Sequence, residues 1–346
     1  MTLELKLDAS QLADAAAWIA KMPNGSDPMT AAVEVSTLHS GLQLRRTDGA
    51  QFREAVIPAQ GADNGHIAVR AANLASHLKG AWGQAIITVD AQALTIRLDT
   101  GTIRLRAMDA ELPQWPQFTS AATTRISSEQ VARVLTSIGT DEFLPQLTAA
   151  YFDDGNVVTT DRFRMTRINF AESGITTLVP GAALRAFVHS DVLVNVAVND
   201  TGRLVRLSSS GQAVIMAVPD TEFPRWRSLI PAEPLLSIYL NRADLLAAAG
   251  GEVVTLTVRS DGYITVLSRD EADEVEVEQD ITATPLHCEL DEPLVVTMKS
   301  KYLIDCLRAI SSGTVLFDAT AANKPVMFRS LGDVDLHLIM PYKKAG

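Results

Sequence analysis

Cysteine is almost absent from this 346-residue chain: only Cys288 and Cys306 occur. Two thiols so placed make neither a metal-binding spacing nor a disulfide framework, and on apolar backgrounds both read as core residues of a protein in a reducing, cytoplasmic setting. The six histidines show no HxxxH or HxH spacing, so the sequence offers no metal site, and no cofactor is expected. A glycine-rich phosphate loop and a GxSxG nucleophile turn are both missing. No apolar run approaches the roughly 18 residues of a membrane span. The first residues, MTLELKLDAS, alternate and carry acid rather than a basic-then-apolar leader, so no signal peptide is expected. An excess of cations is also lacking. The formal net charge of −11 argues against a protein that grips nucleic acid, because that grip comes from Lys and Arg neutralising phosphates.

Candidate catalytic carboxylates are equally scarce. Asp153-Asp154-Gly155-Asn156 lies between two strand patterns and has hairpin-turn chemistry, where adjacent carboxylates do not converge on one ligand. A Thr-Asp pair at 47–48 recurs at 160–161, which suits a repeated turn better than a unique active site. The chain is therefore not expected to be an enzyme.

What the sequence does contain is repetition. Glu111-Leu112-Pro113-Gln114-Trp115 returns 111 residues later as Glu222-Phe223-Pro224-Arg225-Trp226, and Ile339-Met340-Pro341-Tyr342 closes the chain at nearly the same interval. A strand-like run leading into a helical pattern opens each third, at 3–22, 123–139 and 236–251. Short polar residues, Asp8 or Ser10, Ser127 or Ser128, and Asn241, stand where an N-cap belongs. A second strand-then-helix follows in each third, at 66–80, 177–190 and 294–310. Alternating segments such as 93–108, 202–218 and 326–340 come after the helices and read as antiparallel strands with one solvated face. The expected class is α+β, with three repeated domains of two helices and antiparallel sheets each, at 1–120, 121–232 and 233–346.

The order and spacing of several motifs resemble the bacterial sliding clamp family, the β subunit of the replicative DNA polymerase III. FPRWRSLIP (223–231) stands where the family has Phe-Pro-Asp-Tyr-Arg-Arg-Val-Ile/Leu-Pro. TTDRFRM (159–165) matches Ala-Thr-Asp-Gly-His-Arg-Leu, LHLIMPYKK (336–344) matches a strand ending in Met-Pro-Met-Arg-Leu, and 28–49 resembles the first-domain pattern. The similarity is collinear over the chain.

That resemblance implies a DNA sliding clamp, a replicative processivity factor that dimerises head-to-tail into a closed ring. It implies double-stranded DNA, a DNA polymerase, a clamp loader and other proteins with clamp-binding peptides as partners, and a homodimer with no membrane association. A ring held by topology needs only weak phosphate contacts, which reconciles DNA binding with the acidic charge. The helices supply DNA-facing candidates: Lys21, His77, Lys79, Arg133, Arg185, Arg242, Lys299, Lys301 and Arg308. Head-to-tail closure needs two complementary surfaces. Arg97, Arg104 and Arg106 would form one, and Glu274, Glu276 and Glu278, alternating onto one face of a strand, the other. A peptide pocket is expected from Leu147, Thr160, Arg162, Arg164, Met165, Pro224, Ser228, Leu229, Tyr302, Met340, Pro341 and Tyr342. Departures lie at its rim: Arg162-Phe163 replaces Gly-His, Ser228 replaces an Arg, and the ending is Tyr342 to Gly346. The alternative is a monomeric β-rich peptide-binding scaffold that does not encircle DNA.

Overall fold

The computed structural model describes residues 4–23, 27–39, 41–61, 65–110, 113–170, 174–188, 193–259, 263–270, 274–330 and 335–342. Glu111 and Leu112 of the first Pro-Trp motif, the start of the acidic stretch at 271–273, and 343–346 lie outside them. Seven helices occur among the described residues: α1 (Ala9–Ala20), α2 (Pro28–Ala31), α3 (Ala71–Leu78), α4 (Ser128–Leu135), α5 (Gly181–Arg185), α6 (Arg242–Ala248) and α7 (Ser300–Ala309). All except α2 continue directly, or after one residue, from a strand in the six places where the repeat puts a strand-then-helix. Asp8 rather than Ser10 caps α1, its carboxylate accepting from the Ser10 and Gln11 amides at 2.8 and 3.0 Å. Asn241 caps α6 in the same way. Both satisfy amides that the first helical turn leaves unpaired.

The chain divides into two compact units, one of 1–128 with 182–218, the other of 129–181 with 219–346. The middle third of the sequence is shared between them. In the first unit an eight-stranded antiparallel sheet runs from Ser120–Ile126 through Val194–Asn199, Leu204–Ser209 and Gln212–Ala217 to Gln51–Pro58, Gly41–Thr47, Ala32–Leu38 and His66–Arg70. Its seam is the pairing of Gln212–Ala217 with Gln51–Pro58, Gln212 opposite Ala55. A five-stranded sheet in the same unit ends on the edge strand Gly101–Arg106.

The second unit holds a twelve-stranded sheet whose seam is Arg164–Asn169 against Leu336–Ile339, with Arg164 opposite Ile339. Alternation dictates the burial. Val254, Leu256 and Val258 point inward along one strand, and α7 covers them with Leu303, Cys306 and Leu307. Cys306 is a core thiol as expected, but Cys288 is exposed. It ends the strand Val275–Cys288 beyond a register shift opposite Ser237 and Ile238, where period-two alternation no longer directs a side chain inward.

The two Pro-Trp motifs act as anchors. Trp115 meets Phe52 edge-on at 5.2 Å and lies under the Arg45 guanidinium at 4.9 Å. Trp226, only 4% exposed, donates its indole N–H to Asp153 at 2.9 Å, and the same carboxylate takes Arg227. Asp154 and Gly155 both have positive φ, 44° and 78°, as a two-residue hairpin turn requires. Asp153 therefore serves as an acceptor for a crossing segment. The repeated Thr-Asp pairs share one geometry too: Asp48 accepts from the amides of Ala50 and Gln51, and Asp161 from those of Phe163 and Arg164.

Candidate functional site

The seam of the second unit builds a cleft. Pairing of Arg164–Asn169 with Leu336–Ile339 carries the chain end past the 161–163 turn, where the Met340 amide donates to the Phe163 carbonyl at 2.8 Å. Two residues on, the Tyr342 amide donates to the Thr297 carbonyl at 2.7 Å, so the tail is tied on both sides. Between these ties opens a cleft of about 290 Å³ lined by Phe163, Lys299, Tyr302, Met340, Pro341 and Tyr342. Phe163 stacks on Tyr302 with ring centres 6.4 Å apart and planes at 20°. Lys299 Nζ lies 5.6 Å from the Tyr342 ring centre.

Arg164 fixes the wall from behind. Its guanidinium lies 4.6 Å from the Tyr302 ring centre, donates from Nε to Asp161 at 2.9 Å and from Nη1 to Asp305 at 2.7 Å, and is 12% exposed. Burial alone lowers its pKa, but hydrogen bonds to Asp305 and Asp161 outweigh burial and the net shift is upward. Arg164 is thus neutralised within the wall. Arg162 is different: 60% exposed, it is 3.8 Å from the exposed Asp141 and has φ of +79°. A non-glycine residue in that region is strained, and such strain clusters at functional sites.

Of the twelve expected pocket residues, Tyr302, Met340, Pro341 and Tyr342 line the cleft and Arg164 backs it. Thr160 donates to the Arg164 carbonyl and holds the turn. Met165, 2% exposed, belongs instead to a buried cluster with Val158, Trp226, Met327, Leu336 and Leu338, and Leu147 is buried as well. Pro224, Ser228 and Leu229 are exposed on the second Pro-Trp segment. Two lining residues were not assigned to the pocket from sequence. Phe163 stands between two arginines that were, and Lys299, assigned to the DNA face, precedes Tyr302 by three positions, a helical neighbour distance.

Lys21, His77, Lys79 and Arg185 of the first unit, and Lys299, Lys301 and Arg308 of the second, are exposed. Arg133 is committed to Glu129 and Asp335 with 15% of its side chain accessible, and Arg242 is half-buried, donating to the Leu307 carbonyl. Arg104 and Arg106 project from the exposed face of the edge strand Gly101–Arg106, while Arg97 pairs with Glu4 at 2.6 Å. Glu276 and Glu278 lie on Val275–Cys288, whose residues 275–280 are all exposed. Glu274 sits just outside the strand with φ of +52°, so two of the three glutamates, not three, share the strand face. No cluster of metal-ligating side chains occurs among the described residues.

The family described as DNA polymerase III beta subunit, C-terminal domain, matches residues 228–343. The Beta sliding clamp of Streptomyces coelicolor is 22% identical and covers 99% of this chain and 100% of its own length. That of Synechocystis is 24% identical over 73% of this chain and 74% of its own. The DnaN sliding clamp of Bartonella birtlesii, solved bound to griselimycin, superposes with a TM-score of 0.85 at 19% identity, over 99% of this chain and 100% of that one. The chain thus resembles beta sliding clamps in sequence along nearly its whole length and shares their fold. Here the cleft rim carries Arg162 and Phe163, and the closing segment carries Tyr342.

Proposed function

We propose that this protein encircles duplex DNA as a head-to-tail homodimer of three-repeat chains and tethers a DNA polymerase, a clamp loader and other peptide-bearing proteins through the Phe163–Tyr342 cleft. The observation that carries this reading is similarity to sliding clamps over essentially the whole chain, in fold and in sequence. A clamp is a processivity factor and not an enzyme, in keeping with the turn and anchor roles of the Asp153–Asn156 carboxylates.

Physical features support the finer parts. Gly101–Arg106 is a sheet edge with arginines facing out, and Val275–Cys288 presents glutamates beside the exposed Val275 and Val277. Opposite charges on two exposed strands favour a directional, self-repeating contact. Topology would then hold the DNA, and the exposed helix cations need supply only weak, mobile contacts. The cleft suits one or two large apolar side chains, with Lys299 and Arg162 favouring acidic flanks.

The test is retention on circular DNA. After loading by its own loader the protein should survive a high-salt wash on closed circles and escape when the circle is cut. Equal loss from intact and linearised DNA refutes encirclement, and so does a monomeric mass at micromolar concentration.

A further inference from the structure

Arg46 and Arg53 stand directly opposite each other on the antiparallel strands Gly41–Thr47 and Gln51–Pro58. Like charges so placed repel, and these are buried: Arg46 is 0% and Arg53 7% exposed. Arg46 directs its donors to the carbonyls of Ile19, Ala20, Met22, Pro23 and Thr30, at 2.8 to 3.3 Å, where the carbonyl end of α1 lacks a basic residue of its own. The negative end of that helix offsets the Arg46 charge.

Arg53 is less completely satisfied. Nε donates to Gln51 and Nη1 to the Trp18 carbonyl at 3.0 Å, whereas Nη2 has no acceptor among the described residues. No carboxylate forms an ion pair with it there. Its guanidinium is held 5.1 Å from the Trp18 ring centre, which fixes its plane. Burial pushes Arg53 down to about 10, with Asp48 opposing and Arg46 reinforcing the shift, so the group stays charged at neutral pH. Arg53 faces a cleft of about 850 Å³ that Lys21 and Arg185 also line. Both are exposed and have no ion pair among the described residues. The acids of the same cleft are Asp14 and Asp48, and Asp48 already accepts two backbone amides.

We propose that this cleft is a phosphate-binding site, with Arg53 donating from the floor and Lys21 and Arg185 closing on the anion from the rim. A planar, immobilised guanidinium joined by two exposed cations matches a multi-oxygen dianion, which takes directional donors and neutralising charge together. The volume exceeds that of a phosphate group and admits the rest of the molecule bearing it. The occupant is a small phosphate or nucleotide, because contact of Lys21 and Arg185 with a duplex backbone already belongs to the proposed ring function. Every residue involved belongs to the first unit, so the inference does not depend on the peptide cleft.

The experiment is calorimetric titration of the full-length chain with inorganic pyrophosphate, ionic strength being held constant with chloride. Saturable binding is expected, weakened about 2- to 5-fold by Lys21→Ala or Arg185→Ala and about 10-fold or more by Arg53→Gln. If circular dichroism shows that Arg53→Gln does not fold, the double rim variant decides, because both rim residues are exposed. A repeat with a short DNA duplex present separates this ligand from the DNA contact. Saturable pyrophosphate binding indifferent to duplex supports the proposal, and displacement of pyrophosphate by duplex, lost in the rim variants, overturns it by returning Lys21 and Arg185 to DNA contact alone. Absence of saturable binding by the parent, or identical titrations of parent and double rim variant, overturns the proposal.

Discussion

Truncating Met340 to alanine tests the cleft most directly. Met340 lines it and is 39% exposed, so much of the side chain is already covered by the protein and the remainder is available to a ligand. Full burial of a methionine side chain is worth about 1.5–3 kcal/mol, so covering the exposed part contributes on the order of 1 kcal/mol. Loss of shape complementarity to an inserted apolar side chain adds to this, giving about 1–2 kcal/mol in total, or roughly a 5- to 30-fold rise in Kd. Folding should change by less than about 1 kcal/mol, because a partly exposed side chain leaves no sealed cavity. The assay is calorimetry with a peptide from a polymerase's clamp-binding segment, beside a urea titration of each protein. A Met340→Ala protein that binds that peptide as tightly as the parent refutes the placement of the site.

Other expectations follow from single residues. Arg162→Gly should stabilise the fold by about 1 kcal/mol by relieving a left-handed conformation, read as a higher urea midpoint, while weakening acidic peptides in a salt-dependent way. Arg46→Met should cost about 3–5 kcal/mol, since it strips five carbonyls, three of them buried, of their donors; a thermal midpoint close to the parent's contradicts the capping role. Glu276→Lys with Glu278→Lys should shift the chain toward monomer in light scattering, and adding Arg104→Glu with Arg106→Glu should restore part of the association. The pH dependence has a definite sign at Asp8. The Ser10 hydroxyl, then the Gln11 amide, hold its carboxyl below 3.8 in the folded state, so the contribution is complete above the unfolded value and lost as pH falls through the lower folded one. Asp8→Asn, which keeps an acceptor but cannot titrate, should therefore flatten the fall in stability below about pH 4; parallel curves for parent and variant would exclude the effect.

Much of the fold was legible because its causes are local. Period-two alternation, helical spacing and polar caps placed six strand-then-helix pairs, and Asp154-Gly155 announced a turn that needs positive φ at both positions. Order and spacing of weak motifs pointed to Tyr302, Met340, Pro341 and Tyr342 before any geometry was available. Tertiary structure alone decided the rest. Which edges merge, Gln51–Pro58 with Gln212–Ala217 and Arg164–Asn169 with Leu336–Ile339, depends on partners more than a hundred residues away that an alternating pattern does not name. The same distance hid the fates of the charged residues. Arg46 and Arg53 read in sequence like any strand arginine, yet one caps a helix and the other faces a cleft, because burial and partnership are set by what the fold brings to each guanidinium.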